Sequence, residues 1–313
     1  MIRIGVVNID TSHPMTFAKY MATGDRARYV AIYNDGFRED DEVEGFIKQF
    51  GLEKRCQTVE ELAECVDIGF IQGCDWDKHL DYVEPFIKLG KPVFIDKPIV
   101  GSMKDIAKLE SYVQNGAVII GSSTVRYCKE IKEFLALPIE ERGEIVNVYG
   151  TSGVDEFNYG VHIVEAFGGL LGIGAQSCKF VSRASVGGKT SETFSVSYQN
   201  GVTATYALLT GSWHPFTITI QTTRTTYVIK IDTVALYGNF LEMLYDFMET
   251  GVNPFASMDA LTETIKIMLA GKISRETDGS AVKLSDIPAG YEGFDGKQFA
   301  DDYAAKSKKM YLA

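Results

Sequence analysis

The sequence has few cysteines and no pattern that would pair them. Its five cysteines, Cys56, Cys65, Cys74, Cys128 and Cys178, are odd in number and none forms a CxxC pair. Closely spaced pairs of cysteines are typical of structural zinc sites, and an even, regularly spaced set is typical of a disulfide framework. We therefore expect a reduced protein with neither a disulfide framework nor a metal site.

Basic residues are scarce relative to acidic ones. The 313 residues include 31 lysines and arginines against 42 aspartates and glutamates, which gives a formal net charge of −11. Binding to nucleic acid or to an anionic membrane needs a basic surface, so neither is expected as a partner. No apolar run is long enough to span a bilayer, and no signal-peptide pattern precedes the first strand. We expect a cytoplasmic protein.

The first third of the sequence alternates strands and helices. The predicted strands lie at Ile2–Val7, at Tyr29–Tyr33, within Val66–Gly73, at Val93–Ile95 and at Ala117–Ser122. Helical patterns separate them; for example, Phe17, Tyr20 and Met21 share one helical face. Strands separated by helices form a parallel sheet with right-handed crossovers. We predict an α/β, Rossmann-type doubly wound domain over residues 1–121.

The first strand-to-helix turn departs from the usual dinucleotide-binding pattern. It contains no GxGxxG, and Asn8, Asp10 and His13 stand where the three glycines would be. Glycines let phosphates approach the backbone and an aspartate adds repulsion, so weakened or altered dinucleotide binding is expected. The helix start after Thr11 and Ser12 still offers N–H groups to an anion. The alternative interpretation is helix capping plus one hydrogen-bonded histidine.

The second strand ends at a candidate contact for the adenosine ribose. Asp35 follows Asn34 directly, and either residue is placed to bind the ribose hydroxyls. An acid here favours NAD over NADP, although Arg38 close by could tolerate a phosphate. The alternative is an ordinary turn residue before Gly36.

A lysine follows the fourth predicted strand. The run Val93–Ile95 is followed at once by Asp96, Lys97 and Pro98. Ligands of open α/β sheets bind at the carboxyl ends of the strands, so Lys97 is predicted to point into that crevice. Partial burial there makes its proton easier to lose, as proton transfer requires. The alternative is a surface lysine in a loop.

The rest of the chain has a different pattern. Strands are predicted at Glu144–Tyr149, Thr193–Tyr198, Val202–Leu209, Phe216–Thr222 and Thr226–Ile231, and helices at Cys128–Leu137, Leu236–Glu249, Met258–Leu269 and within Tyr291–Ala313. Asn200-Gly201 is a hairpin turn. Consecutive strands joined by short turns form a largely antiparallel sheet. We predict a second, α+β domain over residues 122–313.

A polar cluster lies between the two patterns. The apolar spacing of residues 161–167 predicts a buried helix on which Asn158, His162 and Glu165 share one face. Histidine is the side chain best suited to proton transfer at neutral pH, so His162 is a candidate acid–base residue. The alternative is a core histidine. A metal site is not expected, because the cluster contains a single histidine.

Together these residues resemble the glucose–fructose oxidoreductase / inositol dehydrogenase family (Gfo/Idh/MocA). Asp96-Lys97-Pro98 is similar to the family's Glu-Lys-Pro at a strand end, and Asn158-x-Gly160-x-His162-x-x-Glu165 follows in the family's order. Three further features are similar to the family. His79 is similar to the histidine that begins the family's preceding helix, and Val118–Gly121 with Arg126 is similar to its link between domains. Ser274–Gly279 is similar to the family's closing Ser-x-x-x-x-Gly pattern. The resemblance spans nearly the whole chain.

The resemblance implies a site and an assembly. In the family, the lysine matching Lys97 holds the substrate hydroxyl and the nicotinamide region, and the histidine matching His162 shuttles the proton. An aspartate normally stands at the position of Asn158, and asparagine cannot stabilise an imidazolium as an anion does. The acids that could compensate are Asp155, Glu156 and Glu165, and further implied cofactor contacts are Cys74, His79 and Asp96. The second domain would have an open-faced sheet, which in the family often forms a homodimer or homotetramer.

The expected activity is oxidation or reduction of a sugar, polyol or related small polar compound. NAD or NADP exchanges hydride with the substrate, Lys97 orients the hydroxyl, and His162 transfers the proton. The candidate substrate contacts are Arg126, Asn158, Tyr159, Trp213 and His214, of which Trp213 and His214 could instead be loop packing. Two alternatives stay open: a non-catalytic ligand-binding or regulatory protein, and a lyase or hydrolase that uses tightly bound NAD transiently.

Overall fold

A six-stranded sheet forms the first part of the protein, whose computed structural model describes residues 1–307. The strands are β1 (Ile2–Val7), β2 (Ala27–Tyr33), β3 (Lys54–Arg55), β4 (Ile68–Ile71), β5 (Val93–Ile95) and β6 (Ile119–Gly121). Their order is β3-β2-β1-β4-β5-β6, and neighbouring strands are parallel. This is the predicted doubly wound Rossmann sheet, with its change of direction between β1 and β4, where such sheets bind ligands.

Helices connect these strands, and side-chain caps fix where several of them begin. The helices are α1 (His13–Met21), α2 (Asp40–Phe50), α3 (Val59–Cys65), α4 (His79–Lys88) and α5 (Met103–Gln114), with a short 3₁₀ turn at Trp76–Lys78. Thr58 accepts the N–H of Glu61 at the start of α3, and Ser102 accepts that of Asp105 at the start of α5. The helices start just beyond the strands' carboxyl ends, so these ends form one polar edge.

The second sheet is mixed but mostly antiparallel, as predicted. Its strands are β7 (Ile145–Val154), β8 (Ala175–Val186), β9 (Lys189–Tyr198), β10 (Thr203–Thr210), β11 (Thr217–Thr222), β12 (Thr226–Lys230) and β13 (Val282–Lys283), in the order β12-β11-β7-β10-β9-β8-β13. β7 and β10 pair in parallel, and β9 and β10 form the hairpin predicted at Asn200-Gly201. One face of the sheet is open, because Tyr149 is exposed whereas the adjacent Val148 and Gly150 are buried.

The closed face of this sheet is covered by helices. The helices of the second half are α6 (Lys129–Ala136), α7 (Ile139–Arg142), α8 (Gly160–Leu171), α9 (Leu236–Thr250), α10 (Met258–Glu276) and α11 (Gly296–Lys306). At Gly150 of β7, a Cβ atom would lie 2.5 Å from the side chain of Ile163 and 3.0 Å from that of Phe167. A glycine is therefore needed for α8 to approach the sheet this closely.

Two helices of the second half return to the first sheet. The ring of Phe240 in α9 lies 5.9 Å from that of Phe17 and 4.7 Å from that of Phe94. Before α11, the carbonyl of Phe294 accepts a 2.8 Å hydrogen bond from Nε1 of Trp76. The two halves therefore share a packed interface, and the division at residue 121 stays a prediction.

The structure differs from the expected elements in a few places. The sequence pattern does not predict β3, β8 or β13, which lack a clear alternation of apolar residues. The expectation that Asn158 lies on a helical face is wrong, because α8 begins at Gly160 and Asn158 lies in the preceding turn. The predicted final helix is α11, and residues 308–313 lie outside the described part of the chain. Among residues 1–307, no helix is long and apolar enough to cross a membrane.

Candidate active site

Lys97 stands at the carboxyl end of β5 and is buried between the two halves of the chain. Its Nζ donates to Oδ1 of Asn158 at 2.7 Å and lies 5.5 Å from the centre of the Tyr159 ring. Burial lowers the pKa of Lys97, against the opposing effect of the nearby Asp96 and Asp155 carboxylates. A buried lysine with a lowered pKa is suited to donate and accept a proton.

The asparagine that holds Lys97 is itself held by a carboxylate. Asp155 accepts from Nδ2 of Asn158 at 3.5 Å and from the backbone N–H of Tyr159 at 3.0 Å. Burial raises the pKa of Asp155, although the nearby Lys97 opposes this shift. The acid therefore supports the lysine through the amide of Asn158, and not the histidine as the family pattern implies.

His162 lies in the first turn of α8 and contacts the same tyrosine ring. Its ring centre is 5.8 Å from that of Tyr159, and its Nδ1 lies 2.7 Å from Oγ of Ser123. No residue in the described part of the chain bonds its Nε2. Burial, followed by the nearby Lys97 and His13, lowers the pKa of His162 well below its ordinary value. The imidazole is therefore neutral at pH 7 and can accept a proton.

A histidine–carboxylate pair joins the first turn to the end of β5. Nδ1 of His13 lies 2.8 Å from Oδ2 of Asp96, and Nε2 of Gln72 donates to the same oxygen at 3.3 Å. Burial acts to raise the pKa of Asp96, but His13 and Lys97 outweigh it and the pKa lies below its ordinary value. His13, which stands where the third glycine would be, is thus the partner of Asp96, which stands where the family has a glutamate.

Two adjoining cavities lie beside these groups: Asn158 lines the larger one and His13 and His162 line the smaller one, whereas Lys97 and Asp96 line neither. The larger cleft has a volume of about 640 Å³, and its lining includes Thr11, Ser12, Arg38, Asn158, Tyr159 and Tyr303. The smaller cavity has a volume of about 120 Å³, and its lining includes Ser12, His13, Thr124, Tyr159, His162 and Tyr237. Ser12 and Tyr159 line both, so the smaller cavity is the inner end of the larger cleft. A volume of this order is typical of a site for a cofactor or small ligand.

The residues that replace the first two glycines turn their side chains into the protein. Asn8 has a φ of 64°, a conformation that glycine and asparagine tolerate, and its Oδ1 accepts the backbone N–H of Asp35 at 2.9 Å. The carboxylate of Asp10 accepts the N–H of Phe37 at 3.2 Å and that of Cys74 at 3.0 Å. Burial raises the pKa of Asp10, against the opposing effect of these N–H groups and of Arg38.

A dinucleotide fits one end of this crevice better than the other. Thr11 and Ser12 line the larger cleft, where their hydroxyls can meet a phosphate. Of the first N–H groups of α1, that of His13 already donates to Oγ1 of Thr11 at 3.2 Å, and Pro14 has none. At the other end, Asp35 accepts the hydroxyl of Tyr82 at 2.6 Å and Nδ2 of Asn8 at 3.0 Å. The residues therefore suit the phosphates of a dinucleotide, whereas the predicted ribose contact is already engaged.

Some predicted site residues do not lie at either cavity. Arg126 is buried in an ion pair with Glu165 and donates to Oγ1 of Thr264 at 2.8 Å. His79 is fully buried. Its Nε2 lies 3.0 Å from the carbonyl oxygen of Gly73, and its Nδ1 lies 3.2 Å from that of Ile99. Both side chains connect elements of the fold, because every polar bond they make is to the protein.

Three further candidates have mixed placements. His214 is exposed in the loop before β11, whereas its neighbour Trp213 lines the smaller cavity. Asn34 accepts the backbone N–H of Ile9 at 3.3 Å, which ties the first turn to the second strand. Cys74 contributes its backbone N–H to the turn, and burial raises the pKa of its thiol well above the ordinary range. None of these three has the geometry of an acid–base group.

Sequence reasoning misses several residues that shape the site. Ser123, which holds His162, follows a predicted strand, so its position at a carboxyl end is a signal that could have found it. Tyr237 and Tyr303 come from α9 and α11, far away in the sequence, and no local pattern indicates that they reach the cavities. Among residues 1–307, no group of three or more His, Cys, Asp or Glu side chains could hold a metal ion.

Comparison with known proteins shows that the first part of the chain is similar to a family of oxidoreductases. Residues 2–122 match the sequence model of the Gfo/Idh/MocA oxidoreductase family, described as having an NAD-binding Rossmann fold. No curated protein matches the chain.

Solved structures share the fold over nearly the whole chain. A probable dehydrogenase from Thermotoga maritima is 16% identical, with a TM-score of 0.77 over 92% of this chain and 100% of its own. The scyllo-inositol dehydrogenase of Lactobacillus casei, solved with NAD(H) and scyllo-inositol, is 14% identical, with a TM-score of 0.76 over 91% and 99%. The myo-inositol dehydrogenase of the same organism, solved with NAD(H) and myo-inositol, is 12% identical, with a TM-score of 0.75 over 90% and 96%.

At these identities the solved structures establish the fold, and the similarity to a family rests on the Rossmann-type domain at residues 2–122. That domain has the parallel sheet and the strand-end Asp96-Lys97-Pro98. Residues 2–122 are therefore similar to the Gfo/Idh/MocA family of oxidoreductases with an NAD-binding Rossmann fold.

Proposed function

We propose that the protein is an NAD(P)-dependent oxidoreductase that interconverts a hydroxyl and a carbonyl group on a small polar compound. One observation carries the proposal: Lys97 of the first half and His162 of the second both contact the ring of Tyr159 beside the smaller cavity. A buried ammonium can stabilise a developing oxyanion, and a buried neutral imidazole can take the proton. The pair therefore supplies what oxidation of an alcohol needs apart from the hydride acceptor.

The chain's own residues act on the hydroxyl in two steps. In the oxidation direction, the ammonium of Lys97 donates to the substrate oxygen, sharing its bond with Asn158, and stabilises negative charge there. The reaction needs the tautomer of His162 whose Nδ1–H donates to Oγ of Ser123, 2.7 Å away, because only this tautomer leaves Nε2 to accept the hydroxyl proton. Thr11 and Ser12 would hold the phosphates of NAD(P), which would supply the hydride acceptor when bound. The same residues act in reverse order during reduction.

A sugar-like or polyol substrate suits the smaller cavity. Its lining includes the hydroxyl groups of Ser12, Thr124, Thr233 and Tyr237, which can bond a ligand that carries several hydroxyls. Two dehydrogenases that share the fold were solved with scyllo-inositol and myo-inositol. We propose a cyclic polyol or sugar as the substrate, and a panel of inositols and hexoses assayed with NAD tests it. No turnover of any member of the panel would remove this substrate class.

NAD is the proposed cofactor in preference to NADP. The carboxylate of Asp35 stays partly exposed, and its charge repels the additional phosphate of NADP. In fluorescence titrations we expect NADH to bind several-fold more tightly than NADPH, and Asp35→Asn to narrow that difference. The matched control is Asp25→Asn, an exposed acid near α1, which should leave both affinities unchanged. Equal affinities in the wild type would contradict the preference.

A non-catalytic role is the second candidate, and the engaged turn favours it. The side chains of Asn8 and Asp10 already bond to backbone N–H groups of the protein. Asp35, the predicted ribose contact, already has two hydrogen-bond partners. A chain that had lost the cofactor would keep these contacts. The same titration separates the two candidates: micromolar binding of NADH supports the enzyme, and no binding at millimolar NADH supports the non-catalytic protein.

We also propose that the protein forms a homodimer or homotetramer through the open face of its second sheet. Tyr149 and Val228 lie in one row across this face and are 41% and 69% exposed. Light scattering should give at least twice the chain mass for the wild type and a lower mass for Tyr149→Glu. Val252→Glu, on an exposed loop after α9, is the matched control. A monomeric wild type contradicts the proposal.

A further inference from the structure

The smaller cavity contains a second imidazole that the proposed reaction does not use. His13 enters it from the start of α1 and His162 from the start of α8, and both side chains line it. Each ring is anchored through Nδ1, His13 on Asp96 at 2.8 Å and His162 on Ser123 at 2.7 Å. Within residues 1–307, the Nε2 atom of each has no hydrogen-bond partner. His13 and His162 therefore each have an unpartnered Nε2 atom at the same cavity.

The carboxylate behind His13 is held in a fixed position. Oδ1 of Asp96 accepts the backbone N–H of Lys97 at 2.7 Å, and Oδ2 accepts Nε2 of Gln72 at 3.3 Å. Gln72 is fixed in turn by the hydroxyl of Tyr29 at 2.6 Å. An ionised carboxylate takes the Nδ1–H of an imidazole, so the lone pair of His13 lies on Nε2.

The partners of the two histidines differ in a way that separates their roles. The carboxylate of Asp96 gives the ring of His13 an anionic partner, which stabilises positive charge that develops there during proton transfer. The hydroxyl of Ser123 gives no such stabilisation to His162, which lies buried near Lys97. Pairs of titratable groups in such unlike surroundings commonly serve as the acid and the base of one reaction.

A purely structural role explains less of the geometry. The edge-to-face contact between His13 and Tyr237, at 5.4 Å, and the bond to Asp96 would serve to fix the start of α1. The buried His79, by contrast, has both ring nitrogens within hydrogen-bond distance of protein carbonyl oxygens. His13 instead leaves Nε2 towards a cavity that a ligand can enter.

We propose that His13, oriented by Asp96, is a second catalytic base that exchanges a proton with the carbon next to a substrate carbonyl. Nε2 of His13 takes the proton, the C–H electron pair forms the C=C bond of an enolate, and the carbonyl oxygen gains the negative charge. Lys97 stabilises that oxygen, and return of the proton from His13 restores the carbonyl compound. The step is redox-neutral and needs no co-reactant, and it rests on the proposed function only for the role of Lys97.

Solvent exchange of a hydroxyketone tests this step without any nicotinamide. Dihydroxyacetone is incubated with the full chain in D₂O, and loss of its methylene proton signal is followed by NMR. The wild type should exchange these protons faster than buffer, and His13→Gln should lower the enzymatic rate by roughly 10²-fold, the usual effect of losing a general base. Asp25→Asn, at an exposed position away from both cavities, is the control. Wild-type exchange no faster than buffer, or unchanged exchange in His13→Gln, overturns the proposal.

A second variant keeps the test decisive if His13→Gln fails to fold. Asp96→Asn keeps the shape of the side chain but presents an amide, so His13 loses the partner that fixes its tautomer. With four histidines in the chain, ¹⁵N spectra can be assigned from single variants. We expect the wild-type His13 signal to show the Nδ1–H tautomer, and Asp96→Asn to lose both this tautomer and at least tenfold of the exchange rate. An Nε2–H tautomer in the wild type overturns the proposal.

The two proposals fail in distinguishable ways. Exchange of dihydroxyacetone protons together with no binding of NADH would refute the oxidoreductase and leave the base function of His13 standing. Binding and turnover of NAD with no exchange in the wild type would refute the role of His13 alone.

Discussion

The two ends of the crevice differ in how their polar side chains are satisfied. At the end proposed for adenosine, which we call the adenosine end, Asn8 and Asp10 accept backbone N–H groups, and Asp35 accepts from the side chains of Asn8 and Tyr82. At the inner end, His13 and His162 are each fixed through one nitrogen and leave the other towards a cavity. Both ends depart from the family's sequence pattern, but they do so with opposite results.

This difference between the two ends predicts which substitutions change the stability of the protein and which change its turnover. A buried polar group that the protein satisfies by itself fixes the backbone and gains little from a ligand. A side chain held on one side and unpartnered on the other costs stability unless a ligand or water completes it. Substitution at the adenosine end should therefore change stability most, and substitution at the inner end should change turnover most.

The largest expected effect is loss of turnover at the inner end. Lys97→Met removes the donor that stabilises the substrate oxygen while keeping an unbranched side chain of similar length. Removal of such a donor lowers kcat by roughly 10²–10³-fold. Steady-state assays with the best inositol or sugar substrate measure it, and the exposed Lys104→Met is the matched control. Activity equal to wild type removes Lys97 from the mechanism.

A smaller effect, on stability, is expected at the adenosine end. Asp10→Ala leaves the buried N–H groups of Phe37 and Cys74 without their acceptor. Each unsatisfied buried group costs about 1–3 kcal/mol, so the free energy of unfolding should fall by at least that amount. Urea unfolding measures it, and Asp25→Ala, at an exposed site, should stay within about 0.5 kcal/mol of wild type. An equally stable Asp10→Ala protein would erase the contrast between the two ends.

The smallest expected effect is the pH dependence that His162 gives to stability. Burial, then Lys97 and His13, lowers its pKa in the folded state, so below pH of about 6.5 the unfolded chain binds a proton that the folded chain does not. Stability from this group is full above that pH and is lost as the pH falls, by at most about 1.4 kcal/mol per pH unit. The difference between wild type and His162→Gln, from urea unfolding at pH 5 to 8, measures it. A difference that does not change with pH contradicts the shift.

Much of the fold could be predicted because its signals are local. The apolar runs of β1 and β5 and the Asn200-Gly201 turn each specify their element from neighbouring residues. The short strands β3 and β13 could not be found, because two residues carry no period and pair only when the rest of the sheet is present. Asn158 was placed on a helix because spacing alone does not show where a helix starts.

The site was predictable where it follows from strand ends and not where it depends on distant packing. Lys97 and His162 are indicated by position and type, and the structure brings both to one tyrosine ring. Their roles stay a prediction until assayed. The bond between His13 and Asp96 joins residues 83 positions apart, so no local pattern could show that two separate substitutions are partners. Arg126 has the right type and order, yet Glu165 on α8 holds it in the core.

The chain's two tryptophans lie near different cavities: Trp76 packs against Phe299, which lines the larger cleft, and Trp213 lines the smaller cavity. Trp76 is buried beneath α11, with its ring 4.9 Å from that of Phe299, whereas Trp213 is 60% exposed at the rim of the inner cavity. Indole emission depends on the polarity around the ring. A compound bound beside one tryptophan should therefore shift the emission of that tryptophan and leave the emission of the other unchanged. With a single Trp→Phe replacement at each position, the intrinsic emission of the protein would report which cavity a compound has entered.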